Sequence, residues 1–248
     1  MGVYLALLLI FPFISIVSGS FYDITLQGES ALRTVCESWR LNAEMGNVIG
    51  WVVIPSGCEE YVSNYMLGGQ YSLDVDLMVR EAMSYASKLQ IEGDGKDAWV
   101  FDIDDTLLSH ISYYSENRFG ATPFNKSSWV QWENLAAAPA IESVALFYRQ
   151  LVSGDWSVFF LTGRSEKRRE VTEENLRRSG FTKWTGLILR QEDEEGLPAK
   201  VYKSARRQEL EKAGYRIWGN MGDQWSDLTG YSTGERVFKV ANPMYYIP

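Results

Sequence analysis

The sequence predicts an α/β protein: a parallel sheet with helices between its strands, preceded by a helical segment. Five short runs rich in aromatic and β-branched residues are spread over residues 98–240, with helix-period segments between most of them. Strands alternating with helices give a parallel sheet with right-handed crossovers. The first run, 98–101, is apolar at successive positions, as expected for a strand buried on both faces, and 156–161 reads as a second buried strand. Residues 20–93, by contrast, show helical periodicity alone.

Composition sets the bounds. A chain of 248 residues that is 46% hydrophobic can bury one sizeable core or one domain plus an appendage. The formal net charge of -8 lacks the basic excess of a nucleic-acid binder, so no nucleic-acid partner is expected. Residues 3–17 form an uncharged, mostly apolar run followed by Ser18-Gly19-Ser20. It is short for a membrane span and suits a secretory signal. Residues 1–19 are therefore expected to be cleaved, leaving no stable membrane anchor. The lack of Lys and Arg ahead of the run keeps a retained N-terminal anchor as the alternative. Cys36 and Cys58 are the two cysteines. In a secreted chain they pair most simply as a disulfide; two buried thiols are the other reading.

The segment 20–95 carries three helical stripes. Leu32, Val35, Cys36, Trp39 and Ala43 form the first, and Cys58, Tyr61, Val62, Tyr65 and Met66 the second. The third runs Val75, Met78, Ala82, Met83, Ala86 and Leu89, with Asp74 as its expected N-cap and Gly93 as its stop. The segment is expected to pack on the sheet domain, residues 96–248. There, the run 98–101 reads as the first strand. It stops at three carboxylates in four positions, Asp102, Asp104 and Asp105. Like charges this close need a cation, and the carboxyl ends of parallel strands are where open α/β sheets place ligands. Period-two alternation would put Asp102 and Asp104 on one side, where they can share a Mg²⁺ site and a substrate.

Residues 107–135 read as an irregular aromatic loop holding Tyr113, Tyr114, Phe119, Phe124, Trp129 and Trp132. They serve either as a substrate wall or as cover for the sheet edge. Asn125-Lys126-Ser127 is a glycosylation acceptor within this loop. A helix over 139–153 leads to a second strand, 156–161, which stops at Thr162-Gly163-Arg164. Ser165 is a candidate cap for the next helix. Residues 187–189 form a third strand, followed by an acidic loop. Tyr202-Lys203-Ser204 opens a helix ended by Gly214. Strands at 216–220 and 236–240 complete the sheet, the former stopping at Gly222-Asp223-Gln224-Trp225-Ser226-Asp227.

Four polar groupings thus stand in order: the Asp cluster, Thr162 with Arg164, Lys203, and Asp223 with Asp227. Together they describe phosphoryl transfer. One carboxylate can attack phosphorus. A second can protonate the leaving alcohol and then activate water. A divalent cation and a lysine offset charge on the transferring group. A hydroxyl and a backbone N–H after a strand can hold a phosphate oxygen.

These four motifs resemble those of the haloacid dehalogenase superfamily of phosphatases. The whole mature chain is similar to the plant acid phosphatase and vegetative storage protein family. Ser38-Trp39-Arg40-Leu41, Tyr65-Met66-Leu67-Gly68-Gly69-Gln70-Tyr71, the run from Phe101 to Ser109, and Gly219-Asn220 with Gly222 to Asp227 carry the resemblance. It implies a Rossmann-like parallel sheet and a protein secreted to the cell wall or vacuole. It implies Asp102 as nucleophile and Mg²⁺ ligand, and Asp104 as general acid/base with its carbonyl on the metal. Thr162 and the Gly163 N–H would bind the phosphoryl group, with Arg164 beside them. Lys203 would hold that group and the nucleophile, Lys200 being a nearby rival. Asp223 would bind the metal, and Asp227 would support the metal or Lys203. The implied partner is a small phosphate monoester; an oligomer is compatible with the sequence.

Other phosphatase chemistries lack their residues. The single histidine, His110, lies in Ser-His-Ile and reads as an incidental loop residue. Neither cysteine is followed six residues on by arginine. Some storage members of the family have lost the nucleophilic aspartate; this chain keeps Asp102, which favours an enzyme over a storage protein with vestigial activity.

Overall fold

The computed structural model describes residues 29–248; the expected signal segment lies outside them. Five strands, β1 Asp97–Phe101, β2 Ser157–Ser165, β3 Gly186–Arg190, β4 Arg216–Gly222 and β5 Arg236–Lys239, form one sheet. Its order is β3-β2-β1-β4-β5, and all four pairings are parallel. All five predicted runs are strands. The chain winds outward from β1 in one direction to β3, then returns to the other side of β1 for β4. This makes the carboxyl end of β1 a topological switch point, the usual place for a ligand crevice. Register levels the strand ends there: Phe101 lies opposite both Phe160 and Met221.

Alternation along β1 sends Trp99 and Phe101 into one core, and Ala98 and Val100 into the other. The larger core takes in Phe147, Phe160 and Phe238. It continues without a break into the N-terminal helices α1 Glu29–Glu44, α2 Glu59–Leu67 and α3 Gln70–Ala86 through Trp39, Val62, Tyr65, Val75 and Val79. The N-terminal segment therefore shares its core with the sheet. The Cys36–Cys58 disulfide is formed, tying α1 to the start of α2. Among the described residues no helix is long and apolar enough to cross a membrane.

Between β1 and β2 lie α4 Ile111–Glu116, α5 Lys126–Asn134 and α6 Glu142–Ser153. Helix α7 Arg169–Arg178 follows β2, α8 Ala199–Lys212 precedes β4, and α9 Trp225–Leu228 follows it. The stretch expected to be an irregular loop is thus partly helical. Asn125 explains part of this, because its Oδ1 accepts from the Ser127 and Ser128 N–H groups and caps α5.

Several local expectations are corrected. Leu32 is exposed and Val79 takes a core place. Asp74 is not the cap of α3, which starts after Gly69 at φ 96°. Its carboxylate instead accepts from Tyr65 Oη and Gln70 Nε2, each at 2.7 Å. Helix α3 ends at Ala86, well before Gly93. Strand β2 runs on through Thr162 to Ser165, and Ser165 caps nothing, its hydroxyl turning to Glu195 at 3.3 Å. Helix α8 starts before Tyr202, at Ala199.

Candidate active site

Strand β1 ends at Phe101, and Asp102 keeps one ladder bond, its N–H donating to Met221 O at 2.9 Å. The chain then turns sharply. Asp105 takes φ 53°, and Ile103 O accepts from the N–H groups of Leu107 and Leu108, each at 2.9 Å. Period-two alternation ends with the strand, so Asp102 and Asp104 do not share a side-chain environment as expected. Their carboxylates anchor two adjacent groups.

The first group is Asp102, Lys203, Asp223 and Asp227, all buried. Lys203 Nζ contacts Asp102 Oδ1 and lies 2.5 Å from Asp227 Oδ1. Asp227 Oδ2 accepts the Gln224 N–H at 3.0 Å, so both its oxygens are committed within the protein. Asp223 receives Gln224 Nε2 at 2.7 Å and Asn242 Nδ2 at 2.6 Å, both on Oδ2. Its Oδ1 is the oxygen left for a cation. Burial pushes the Asp102 carboxyl well up against the pull of Lys203. Burial, then the charges of Asp227 and Asp105, pushes Asp223 up to about 7. Burial opposes the charge on Lys203, but Asp102 and Asp227 outweigh it and hold the ammonium above its ordinary range.

Oxygens of Asp102, Asp223 and Asp227 lie within 4.8 Å of one another. One lysine cannot balance three buried carboxylates, and a hard divalent cation suits an all-oxygen donor set. The residues fit a metal such as Mg²⁺, with Asp102 and Asp223 as carboxylate ligands. The carboxylate of Asp104 does not belong to this cluster.

The second group surrounds Asp104. Its Oδ1 accepts from Arg164 Nη2 at 2.7 Å and pairs with His110 Nε2 at 2.7 Å. Its Oδ2 lies 3.2 Å from Arg164 Nε and 3.3 Å from Thr162 Oγ1. Burial alone would raise this carboxyl, but Arg164 and His110 outweigh it and hold the pKa far below the carboxylate range. Arg164 is itself buried between Asp104 and Glu133 and donates to Thr172. Thr162 and Arg164 thus both turn onto Asp104. Gly163 stands exposed at the strand end, with nothing within 4 Å of where a Cβ would be. Lys200 is exposed whereas Lys203 is buried.

Three participants were not legible in the sequence. His110, which the sequence presents as an incidental loop residue, is fully buried and bonded to Asp104. Asn242 reaches Asp223 from beyond β5. Glu44, at the end of α1, accepts the Asn242 N–H at 2.8 Å and pairs with Lys239 at 2.9 Å. Its carbonyl accepts from Trp225 Nε1 at 2.8 Å. The N-terminal segment is thereby bonded to the Asp223 loop. The aromatics of 107–135 mainly cover the edge: Tyr113, Tyr114 and Phe119 are buried, and Phe124 alone among the six is largely exposed.

A parallel sheet with a buried carboxylate, a lysine and a metal-type acidic cluster at its switch point defines a phosphohydrolase of the haloacid dehalogenase type. The chain belongs to subfamily IIIB of that superfamily, the acid phosphatases, whose profile matches residues 23–248. It is 45% identical over 212 residues to Acid phosphatase 1 of Solanum lycopersicum, covering 86% of this chain and 83% of that one. Vegetative storage protein 1 of Arabidopsis thaliana is 39% identical over 215 residues, covering 86% and 79%. The Stem 28 kDa glycoprotein of Glycine max is 41% identical over 214 residues, covering 86% and 84%. The fold matches a class C acid phosphatase from Bacillus anthracis, crystallised with tungstate, at a TM-score of 0.60 and 21% identity, over 76% of this chain and 85% of that one.

Proposed function

We propose that the protein hydrolyses small phosphate monoesters with Mg²⁺ as cofactor, through a phosphoryl group carried on Asp102. The observation that carries this reading is the Asp102–Lys203 contact beside the Asp223 carboxylate. Asp102 Oδ1 is occupied by Lys203, which leaves Oδ2 to attack phosphorus in line with the ester oxygen. As the new O–P bond forms, the ester O–P bond breaks and the alkoxide takes a proton from Asp104. Water then attacks the same phosphorus, gives its proton to Asp104 and releases inorganic phosphate from Asp102. Lys203, held by Asp227, faces the charge on the transferring group. Mg²⁺, when bound by Asp102 and Asp223, would supply further neutralisation of that charge.

The clamp on Asp104 favours its ionised form, which is the form the water step requires. For the first step, a substrate phosphate that draws Thr162 away from Asp104 and brings negative charge beside it raises the carboxyl, so that it can carry the proton for the leaving alkoxide. In this reading Asp227 serves Lys203, and Arg164 orients Asp104. Thr162 and the Gly163 N–H bind the phosphoryl oxygens once substrate displaces the Thr162–Asp104 contact.

The disulfide, in an oxidising compartment, supports a secreted or vacuolar protein. Asn125 is exposed and caps α5 through Oδ1 alone, which leaves its amide nitrogen for a glycan; a relative is itself named a glycoprotein. The second reading, a nitrogen reserve with weak turnover, is favoured by the identity to Vegetative storage protein 1. Turnover and phosphoenzyme trapping discriminate the two. The wild type should release phosphate with Mg²⁺ and lose activity in EDTA, and Asp102→Asn should lose both turnover and the trapped phosphoryl group. Full turnover by Asp102→Asn, or by wild type in a verified metal-free preparation, would overturn the mechanism.

A further inference from the structure

We propose that His110 is a positioning residue: fixed in one tautomer by Trp132, it donates the hydrogen bond that aims the Asp104 carboxylate. The inference rests on the acid–base reading of Asp104 given above.

The tautomer follows from the partners. Trp132 Nε1 lies 2.8 Å from His110 Nδ1. An indole N–H can only donate, so Nδ1 accepts and carries no proton. The ring proton is on Nε2, 2.7 Å from Asp104 Oδ1. The rest of the residue is equally constrained. Its backbone N–H donates to Asp105 Oδ1 at 2.8 Å, its carbonyl accepts the Tyr114 N–H at 3.0 Å, and Trp129 packs edge-on at 4.7 Å between ring centroids. The ring is fully buried. It can neither swing away nor exchange its two nitrogens without breaking the Trp132 bond.

This matters because of how Asp104 is otherwise held. Arg164 reaches both carboxylate oxygens from its own side, and the Thr162 contact is long. A substrate that recruits the Thr162 hydroxyl leaves Arg164 as the remaining donor, about whose fork the carboxylate can pivot. His110 is a second fixed point, and two fixed points define the carboxylate plane. An error near 1 Å in a catalytic group costs roughly a hundredfold in rate.

His110 is the single histidine of the chain, so its ring nitrogens are unambiguous in a ¹⁵N spectrum. The wild type should show a protonated Nε2 and an unprotonated Nδ1; a proton on Nδ1 would overturn the proposal. Kinetics test the role. His110→Phe should lower kcat on an alkyl phosphate by about ten- to a hundredfold, with KM little changed and a smaller loss on an aryl phosphate. His110→Gln, whose amide N–H can occupy the Nε2 position, should recover most of that loss. Adding His110→Phe to Asp104→Asn should cost nothing further. Equal losses on both substrates, or losses that simply add to those of Asp104→Asn, would make His110 structural and refute its role. If Asp104→Asn itself shows no dependence on leaving group, the acid–base reading fails and the positioning role with it. The spectrum then still reports the Trp132–His110–Asp104 bonds, so that failure is distinguishable from a wrong tautomer.

Discussion

Removing a metal ligand ordinarily weakens a protein, but Asp223→Asn, at a residue proposed to bind the cation, should stabilise the metal-free form. Asp223 is buried beside Asp102, Asp227 and Asp105, and its carboxyl is pushed up to about 7. The unfolded chain binds the same proton with a pKa of about 4. The folded state therefore binds it more tightly. Between about pH 4 and about 7 stability falls as pH rises, and above that range the whole penalty is present. The difference corresponds to at most about 4 kcal/mol, or on the order of 10 °C in melting temperature for a chain of this size. Asparagine can take up the site without new strain. Both amide donors, Gln224 Nε2 and Asn242 Nδ2, fall on Oδ2, so the side-chain oxygen can stay there and the NH₂ replace Oδ1. The assay is thermal unfolding in EDTA at pH 4 and pH 8, then at pH 8 with Mg²⁺. The variant should melt higher than wild type in EDTA at pH 8 and close to it at pH 4. Mg²⁺ at a hundred times its Kd should raise wild type by about 2.7 kcal/mol and the variant by much less. A variant less stable than wild type in EDTA at pH 8, or equally stabilised by Mg²⁺, would refute the charge argument.

Two more predictions rest on local geometry. Reducing Cys36–Cys58, whose residues are fully buried, should cost about 3 kcal/mol for a loop of about 23 residues. Urea unfolding with and without reductant checks this, and identical midpoints would show that the bridge constrains nothing. A Cβ on Gly222 would sit 2.5 Å from both Cβ and Oδ2 of Asp227. Gly222→Ala should therefore displace Asp227 from Lys203 and lower kcat by at least about tenfold, and a variant with full turnover would show that Asp227 does not hold the lysine in place.

The sheet was legible because strand signals are local. The run 98–101 is buried on both faces, so every position is apolar, and Asp102 marks the strand end. The order of Asp102, Thr162 and Asp223 along the chain was legible for the same reason, since parallel strands bring their carboxyl ends to one edge; Lys203 reaches that edge from the first turns of α8. Helix caps were less so. Asp74 looked like a cap because a short acidic residue preceded an apolar stripe, but Tyr65 and Gln70 claim its oxygens in the fold.

The chain alone therefore determined the α/β class, the family and the residues near the sheet edge, because these depend on periodicity and on short motifs. Tertiary structure decided what each of those residues faces. Asp102 and Asp104 are two residues apart, yet one faces Lys203 and the other Arg164 and His110, because the chain leaves the strand between them. The tautomer of His110 depends on Trp132 in another helix, and the oxygen that Asp223 can offer a cation depends on Asn242 beyond the last strand. Glu44 reaches the same loop from the first helix. Hydrogen bonds between groups so far apart in sequence leave no periodic trace, so only packing around the sheet reveals them.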